Sequence, residues 1–266
     1  MRVSAWWRGI SPRRRLLVTL VAAVAVAGLL AGALAAGRGG APAGSGRPAQ
    51  DDPGPVLLVP GYGGAQDALA RLADRIRQAT GRETEVLTLP DGGTGDLLAQ
   101  VAVLDAAAAR ARARGAPSVD VIGYSAGGVV AAWWAGQGGG EHQARRLVTL
   151  GAPLHGTQLA AAAAVLDPAA CPAACRQLAP GSALLRQLQA YPVPAGLPWL
   201  SVWTERDEVV VPPDSARIDG AVNVPLQAVC PADPAAHGDL PTDPQVTAFV
   251  LRALGTAPLT APAGCG

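Results

Sequence analysis

The chain has 266 residues, of which 50% are hydrophobic and only 15% charged, a composition that excludes a disordered polypeptide and requires a folded domain. Its 21 basic residues are all arginine and nearly balance 20 acidic ones, leaving a formal net charge of +1. Because so small a charge does not favour a polyanionic partner, we expect no binding of nucleic acid.

The first 37 residues have the pattern of an export signal. Five arginines lie within residues 1–15, and the run 16–37 contains no charged residue. That run is about as long as a short membrane span, and Ala33-Leu34-Ala35 within it is typical of a signal-peptidase site. Residues 1–37 are therefore predicted to be a signal peptide or a retained membrane anchor. The rest of the chain is then extracellular or held on the outer face of the cytoplasmic membrane.

Residues 38–54 are rich in Gly and Pro and contain almost no large apolar side chain, so we predict a flexible linker. The remainder, residues 55–266, is long enough for one domain with a sizeable core. No internal repeat is visible in it. We expect this domain to act as a monomer.

Short apolar runs alternate with helical patterns in this domain, which predicts an α/β fold. The runs are rich in Val and Leu and mostly continuous, as strands buried on both faces are. Their alternation with helices favours a mostly parallel sheet of about six strands with helices on both faces. Segment 154–197 breaks the alternation and should lie above the strand ends, where it could form a lid. A last helix is predicted from Pro244, with Asp243 as its N-cap. The predicted strands are 56–59, 85–89, 119–123, 147–150, 199–203 and 222–224.

The most informative motif is Gly123-Tyr124-Ser125-Ala126-Gly127, where a predicted strand runs into a helical pattern. Gly-x-Ser-x-Gly between a strand and a helix is the pattern of a nucleophile elbow, whose serine lies on a sharp turn. A side chain at either glycine would collide with the neighbouring strand and helix. Ser125 is therefore predicted to be a catalytic nucleophile, and the alternative is an ordinary tight turn.

A serine nucleophile needs a base, and the chain contains three histidines. His237 follows the last predicted strand, where a loop can carry it back over the sheet, and it is the predicted base. His155 follows an earlier strand, close to the mouth of the site, and is the alternative. His142 lies in a Gly-rich polar loop and is expected at the surface.

The base in turn needs a carboxylate that orients it. Three acidic residues, Glu205, Asp207 and Glu208, follow the fifth predicted strand. Asp207 stands just before an apolar Val-Val-Val-Pro run that can bury it, so it is the predicted acid. The order Ser125, Asp207, His237 is that of an α/β-hydrolase and not that of chymotrypsin or subtilisin.

Negative charge that develops on a substrate oxygen needs two backbone donors. We expect one to be the N–H of Ala126, directly after the nucleophile, and the other to be the N–H of Tyr62, in the Gly-rich loop after the first strand. The chain has no Lys that could turn this loop into a phosphate-binding loop. The alternative is an ordinary strand-to-helix turn.

These motifs resemble those of the small secreted bacterial lipases and esterases of the α/β-hydrolase superfamily. The resemblance implies a triad of Ser125, Asp207 and His237, an oxyanion hole at Tyr62 and Ala126, and acylglycerol esters as substrates. Residues 158–197 match nothing in that family. The motifs that carry the resemblance are Val-Leu-Leu-Val-Pro-Gly-Tyr-Gly-Gly at 56–64, Gly-Tyr-Ser-Ala-Gly-Gly at 123–128, Leu-Gly-Ala-Pro-Leu-His-Gly-Thr at 150–157, and Asp-Glu-Val-Val-Val-Pro with Ile-Asp-Gly-Ala-Val-Asn-Val at 207–224.

The sequence therefore predicts a serine hydrolase that cleaves carboxylic esters, of lipids or of small molecules, through an acyl-enzyme on Ser125. No cofactor and no metal ion are expected. Two alternatives stay open, an envelope acyltransferase that uses the same triad and a non-catalytic binding module that has the same fold.

The four cysteines are predicted to form two disulfides, because an exported chain folds where thiols oxidise and an even number leaves none unpaired. Cys171 and Cys175 are close in sequence and should pair, which leaves Cys230 with Cys265. A metal half-site at the first pair is the alternative, but no histidine lies nearby in sequence.

Overall fold

The computed structural model describes Ser11, residues 46–190 and residues 196–265. Apart from Ser11, the predicted export segment lies outside these residues. In the described part, no helix combines the length and the apolar character needed to cross a membrane. A compact unit begins at Arg47 and contains everything described below.

The described residues contain one six-stranded sheet in which every neighbouring pair of strands is parallel, with the order β2-β1-β3-β4-β5-β6. This confirms the predicted α/β class and the parallel sheet. From β1 the chain first adds β2 on one side and then β3 on the other, so the order of the strands reverses between β1 and β3. Ligands of such sheets bind at this point, beyond the carboxyl ends of the strands. The strands are β1 Val56–Val59, β2 Thr84–Val86, β3 Val119–Tyr124, β4 Ala144–Leu150, β5 Trp199–Trp203 and β6 Val222–Pro225.

Helices cover both faces of the sheet, as predicted. Val56 and Leu58 of β1 face a core formed with α1 and α8, whereas Leu57 and Val59 face the opposite core, formed with α2 and α3. This alternation follows from the two-residue period of a strand, which buries successive side chains on opposite faces. The helices are α1 Asp67–Thr80, α2 Leu97–Ala113, α3 Ala126–Gln137, α4 Gln158–Leu166, α5 Ala173–Gln177, α6 Ala183–Ala190, α7 Leu226–Val229 and α8 Pro244–Ala253.

The sequence explains where the flanking helices begin and end. Helix α1 ends at Gly81, whose φ of 69° is the left-handed conformation that glycine adopts without strain. Helix α8 begins at Pro244, and the Asp243 carboxylate accepts a hydrogen bond from the Val246 N–H, which is the predicted N-cap.

Strand β2 is shorter than predicted. The prediction was 85–89, but the ladder ends at Val86. Leu87 is buried and its N–H still donates to the Leu58 carbonyl at 2.9 Å, after which Pro90 starts a short 3-10 turn. Proline lacks an N–H and cannot continue a ladder, so the apolar run leaves the sheet while its leucines stay in the core.

The compact unit begins earlier than residue 55. Gln50, within the predicted linker, donates from its side chain to the Arg145 carbonyl at 3.1 Å and accepts from the Arg146 guanidinium at 3.1 Å. The Gln50 carbonyl accepts from the Arg145 side chain at 2.9 Å. The structure departs here from the predicted linker, because buried arginines supply the contacts that the segment lacks in apolar side chains. The rest of that linker, up to residue 45, lies outside the described residues.

Segment 154–197, the predicted insertion, contains helices α4, α5 and α6. Helix α4 has eight apolar residues out of nine, and it leaves Leu159, Val165 and Leu166 exposed at 55%, 79% and 83%. Such a helix has no polar face for water. A disulfide between Cys171 and Cys175 follows it.

Candidate active site

Ser125 stands between β3 and α3 with a backbone φ of 53° and ψ of −126°. Few residues other than glycine adopt a positive φ, and those that do are held there by their surroundings. The Ser125 N–H donates to the Leu150 carbonyl of β4 at 2.8 Å. The turn predicted from the sequence is therefore present, and it is fixed to the neighbouring strand.

Glycines around this turn allow α3 to approach the sheet closely. A Cβ atom at Gly123 would lie 2.5 Å from the Gly127 carbonyl oxygen, and one at Gly127 would lie 2.2 Å from the Val59 carbonyl oxygen. Both predicted collisions are thus real. A third glycine, Gly128, has the same role, because a Cβ there would lie 2.4 Å from the Cβ of Ala152. This third position was not predicted from the sequence.

The three side chains predicted to form a triad lie together and are buried. His237 Nε2 is 3.0 Å from Ser125 Oγ, and His237 Nδ1 is 2.7 Å from Asp207 Oδ2. His237 opens a short 3-10 turn between α7 and α8, whereas Ser125 follows β3 and Asp207 follows β5. The carboxyl ends of the strands thus bring together residues that are far apart in sequence.

Asp207 is oriented by its own loop. Its Oδ1 accepts hydrogen bonds from the N–H groups of Val209 at 2.9 Å and Val210 at 2.7 Å, which leaves Oδ2 for His237. A carboxylate beside Nδ1 makes that nitrogen the donor, so Nε2 is the nitrogen that can accept a proton from Ser125. The other candidate acids, Glu205 and Glu208, are exposed.

The other two histidines lie elsewhere. His155 is exposed, and its Nδ1 is 3.0 Å from the Ser215 carbonyl oxygen. His142 is paired with its neighbour Glu141 at 3.1 Å. Among the hydrogen bonds of the described residues, neither histidine has one to Ser125.

The Gly-rich loop after β1 runs beside the turn at Ser125. Val59 pairs with Gly123 in the sheet, so the segments after β1 and β3 leave it side by side. A Cβ at Gly61 would lie 2.9 Å from the Cβ of Ser125. The N–H groups of Tyr62 and Ala126 donate to no backbone carbonyl in the part of the chain that the structure describes. The role of these two N–H groups as oxyanion donors stays a prediction.

A cavity of about 250 Å³ opens beside Ser125. Helix α4 contributes one wall through Leu159, Ala160 and Ala163, and Cys175 lies in another. None of the described residues that line the cavity is charged. The cavity can therefore hold an apolar group next to the Ser125 hydroxyl.

Two hydroxyl groups hold the loop that carries His237, and neither contact was predicted from the sequence. The Tyr124 hydroxyl donates to the His237 carbonyl at 3.2 Å, and the Thr204 hydroxyl donates to the Ala235 carbonyl at 2.6 Å. Burial, followed by the negative charge of Asp207, raises the pKa of Tyr124 to about 12. The phenol is therefore a hydrogen-bond donor throughout the neutral range.

Among the described residues, no group of three or more His, Cys, Asp or Glu side chains could hold a metal ion. Cys171 and Cys175 are joined to each other, which excludes the alternative of a metal half-site at this pair. Cys230 is joined to Cys265.

No protein-family model matches the chain, and no curated protein matches it significantly. Solved structures of other proteins do match the chain. Lipase B of Aspergillus fumigatus superposes with a TM-score of 0.64 at 19% identity, over 77% of this chain and 53% of that one. Lipase BlEst2 of Bacillus licheniformis superposes in its mature form with a TM-score of 0.54 at 19% identity, over 69% and 89% of the two chains. The propeptide form of the same lipase superposes with a TM-score of 0.62 at 18% identity, over 85% of this chain and 53% of that one.

This chain spans about half the length of the Aspergillus lipase and of the propeptide form. At identities near 19% the likeness concerns the fold. The parallel sheet, the turn after β3 and these neighbours together show that the chain has the α/β-hydrolase fold.

Proposed function

We propose that the chain is a serine hydrolase that cleaves carboxylic esters through an acyl-enzyme on Ser125. The observation that carries the proposal is the pair of distances through His237, 3.0 Å to the Ser125 hydroxyl and 2.7 Å to the Asp207 carboxylate. This arrangement suits a nucleophile, a base and an orienting acid. The lipases of the same fold agree with an ester hydrolase.

The reaction proceeds in two steps. Ser125 Oγ attacks the ester carbonyl while its proton passes to His237 Nε2, and the N–H groups of Tyr62 and Ala126 stabilise the oxyanion. The imidazolium, stabilised by Asp207, then protonates the leaving alkoxide as the carbon–oxygen bond breaks. Water attacks the acyl-serine with His237 again acting as base, and the acid is released.

The cavity suggests the substrate. Its uncharged wall suits a hydrocarbon chain, and its volume of about 250 Å³ is below the range of roughly 300–1,000 Å³ that drug-sized ligands occupy. We therefore infer one acyl chain of short or medium length. The apolar surface of α4, with Leu159, Val165 and Leu166 exposed, suits contact with lipid, so acylglycerol esters are the substrate class that we propose.

We also propose that the protein is exported. Two disulfides within the described residues are compatible with an oxidising compartment. Whether residues 16–37 are cleaved or hold the protein on a membrane stays a prediction, because that segment lies outside the described residues.

Replacing the nucleophile tests the proposal. Ser125→Ala should abolish labelling by a fluorophosphonate and lower the hydrolysis of p-nitrophenyl esters by about three orders of magnitude or more. Ser182→Ala, which removes a hydroxyl directly before α6 that makes no hydrogen bond with His237, should keep both. Ester hydrolysis by Ser125→Ala within tenfold of wild type, in protein free of other esterases, would contradict the assignment. Product analysis with an added alcohol separates hydrolysis from acyl transfer.

A further inference from the structure

The loop that carries His237 is held from two strands. Tyr124, the last residue of β3, donates to the carbonyl of His237, and Thr204, the residue after β5, donates to the carbonyl of Ala235. The same strands carry the other two members of the proposed triad, since Ser125 directly follows Tyr124 and Asp207 lies shortly after Thr204. Each strand therefore supplies one side chain of the triad and one hydroxyl that fixes the backbone near His237.

The hydroxyl of Tyr124 binds the backbone of His237 itself, whereas Thr204 binds the loop two residues earlier. His237 lies on a turn of only three residues, and Asp207 holds its ring but not its backbone. The other hydrogen bond to the His237 carbonyl, from the Leu240 N–H, is long at 3.4 Å, whereas the bond from Tyr124 measures 3.2 Å.

The two rings also lie side by side. The centroids of the Tyr124 and His237 rings are 5.3 Å apart, with a tilt of 34° between the planes, which is within the range of aromatic contacts. The phenol thus limits both the position of the His237 backbone and the rotation of its imidazole.

We propose that Tyr124 is a positioning residue for His237, whose hydroxyl sets the distance between the base and the nucleophile that follows Tyr124 in the chain. This inference rests on the proposed role of His237 as the base. It assigns the residue before the nucleophile a task that the Gly-x-Ser-x-Gly pattern leaves unspecified. A small displacement of a reacting group costs a large factor in rate, so loss of one hydroxyl should be measurable in turnover.

The test is Tyr124→Phe, which keeps the ring and removes the hydroxyl. We expect kcat to fall about tenfold with KM within about twofold of wild type, because substrate contacts are unchanged while the base is less well placed. Active-site titration should find the same fraction of active enzyme. A kcat within twofold of wild type would overturn the proposal.

A matched control separates positioning from general loss of stability. Ser118 is buried just before the amino end of β3, at the end of the strand opposite to Tyr124, and its hydroxyl donates to the Asp52 carbonyl at 3.0 Å and accepts from the Gly54 N–H at 3.1 Å. Ser118→Ala should lower the Tm without lowering kcat. If it lowers kcat as much as Tyr124→Phe does, the effect is structural and the proposal fails.

A second pair of variants tests the other hydroxyl that holds the loop of His237. Thr204→Val removes the other hydroxyl and should also lower kcat, whereas Thr204→Ser keeps that hydroxyl and should restore turnover. Equal activity in the valine and serine variants would show that the Thr204 hydroxyl does not help to place this loop.

An NMR measurement distinguishes this proposal from the proposed function. The Nδ1 proton that His237 shares with Asp207 should give a low-field signal, which Tyr124→Phe should broaden or shift whatever the substrate is. An unchanged signal would overturn the positioning role. Lack of ester hydrolysis by wild-type protein, with the signal responding as expected, would contradict the function alone.

Discussion

The hydroxyl of Ser125 reaches the cavity because its backbone is held at a positive φ. Such a conformation costs of order 1–3 kcal/mol and persists where the surroundings fix it. Here α3 supplies that constraint, since Val129 and Val130 are fully buried and Gly127 lets the helix contact the end of β1. The position of the Ser125 hydroxyl therefore depends on the packing of a helix in which only the first residue, Ala126, has a proposed part in the chemistry.

The histidines give a direct test at this scale. We expect His237→Ala to be nearly inactive and His155→Ala to keep most of its activity, because only His237 contacts Ser125 and Asp207. Hydrolysis by wild-type protein should also fall on acidification, since a protonated imidazole cannot accept the serine proton. Initial rates against pH for the three proteins measure both effects. A greater loss of activity in His155→Ala than in His237→Ala would show that the base is assigned wrongly.

Local sequence patterns predicted some residues of the site and left others without an assigned contact. Ser125 lies in a motif that fixes its conformation, and His237 and Asp207 follow apolar runs that mark strand ends. Tyr124 and Thr204 could not be assigned their contacts, because each donates to a backbone carbonyl far away in sequence. A hydroxyl that binds a distant carbonyl has no spacing that a sequence could reveal.

At the scale of elements, the insertion is joined to the loop that carries Asp207. Thr157 caps α4, and its hydroxyl donates to the Val209 carbonyl at 2.7 Å and accepts from the Val211 N–H at 3.1 Å. The same loop holds Asp207 through the Val209 and Val210 N–H groups. The first turn of α4 is thereby fixed to the site, and its wall of the cavity is fixed with it.

Two neighbouring alanines of α4 test the inferred acyl chain. Ala163 lines the cavity, whereas Ala162 is exposed and does not. Ala163→Leu should shift the preferred p-nitrophenyl ester to a shorter chain, because the larger side chain fills space beside Ser125. Ala162→Leu should leave the preference unchanged. The same chain-length profile for both variants would mean that the acyl group binds elsewhere.

The elements that the sequence predicted best are those with a regular pattern. Helix α1 shows apolar residues at helical spacing and an end at Gly81, and strands β1 and β5 are apolar runs with the predicted limits. Helix α4 offered no such signal, because a segment that is almost all apolar has no period. Its secondary structure depends on its capping residue and on contacts with the sheet below.

At the scale of the whole molecule, buried arginines connect segments that are distant in sequence. The Arg145 guanidinium binds the Asp120 carboxylate, the Gln50 carbonyl and the carbonyls that follow α8. Arg146 binds the carbonyls of Ala253 at 2.7 Å and Ala257 at 2.6 Å. Positive charge at the carboxyl end of a helix is favourable, so these residues also stabilise α8.

The disulfide between Cys230 and Cys265 connects the segment before His237 with the end of the described chain. It spans 35 residues, so the chain-entropy estimate gives a stabilisation of roughly 3–4 kcal/mol. Replacing both cysteines by serine should lower the Tm accordingly and, by loosening the loop of His237, reduce kcat more than it raises KM. Thermal melts and steady-state kinetics measure the two effects.

The other disulfide provides the comparison for this prediction. Cys171 and Cys175 are separated by only four positions, for which the same estimate gives about 2 kcal/mol, so their replacement should lower the Tm less. A larger loss from the short bridge would contradict the entropic argument. Peptide mapping that joined Cys171 to Cys265 would contradict the pairing itself.

The attachment of Gln50 has a mechanical consequence. Its hydrogen bonds go to Arg145 and Arg146, at the amino end of β4, whereas Ser125 lies beyond the carboxyl end of β3. A pulling force applied at residue 47 would load the arginine side chains and β4 first, and the segments that carry Ser125, Asp207 and His237 would not lie on its direct path. Protein immobilised on a bead through this segment would therefore present the cavity beside Ser125 to the solution, away from the support.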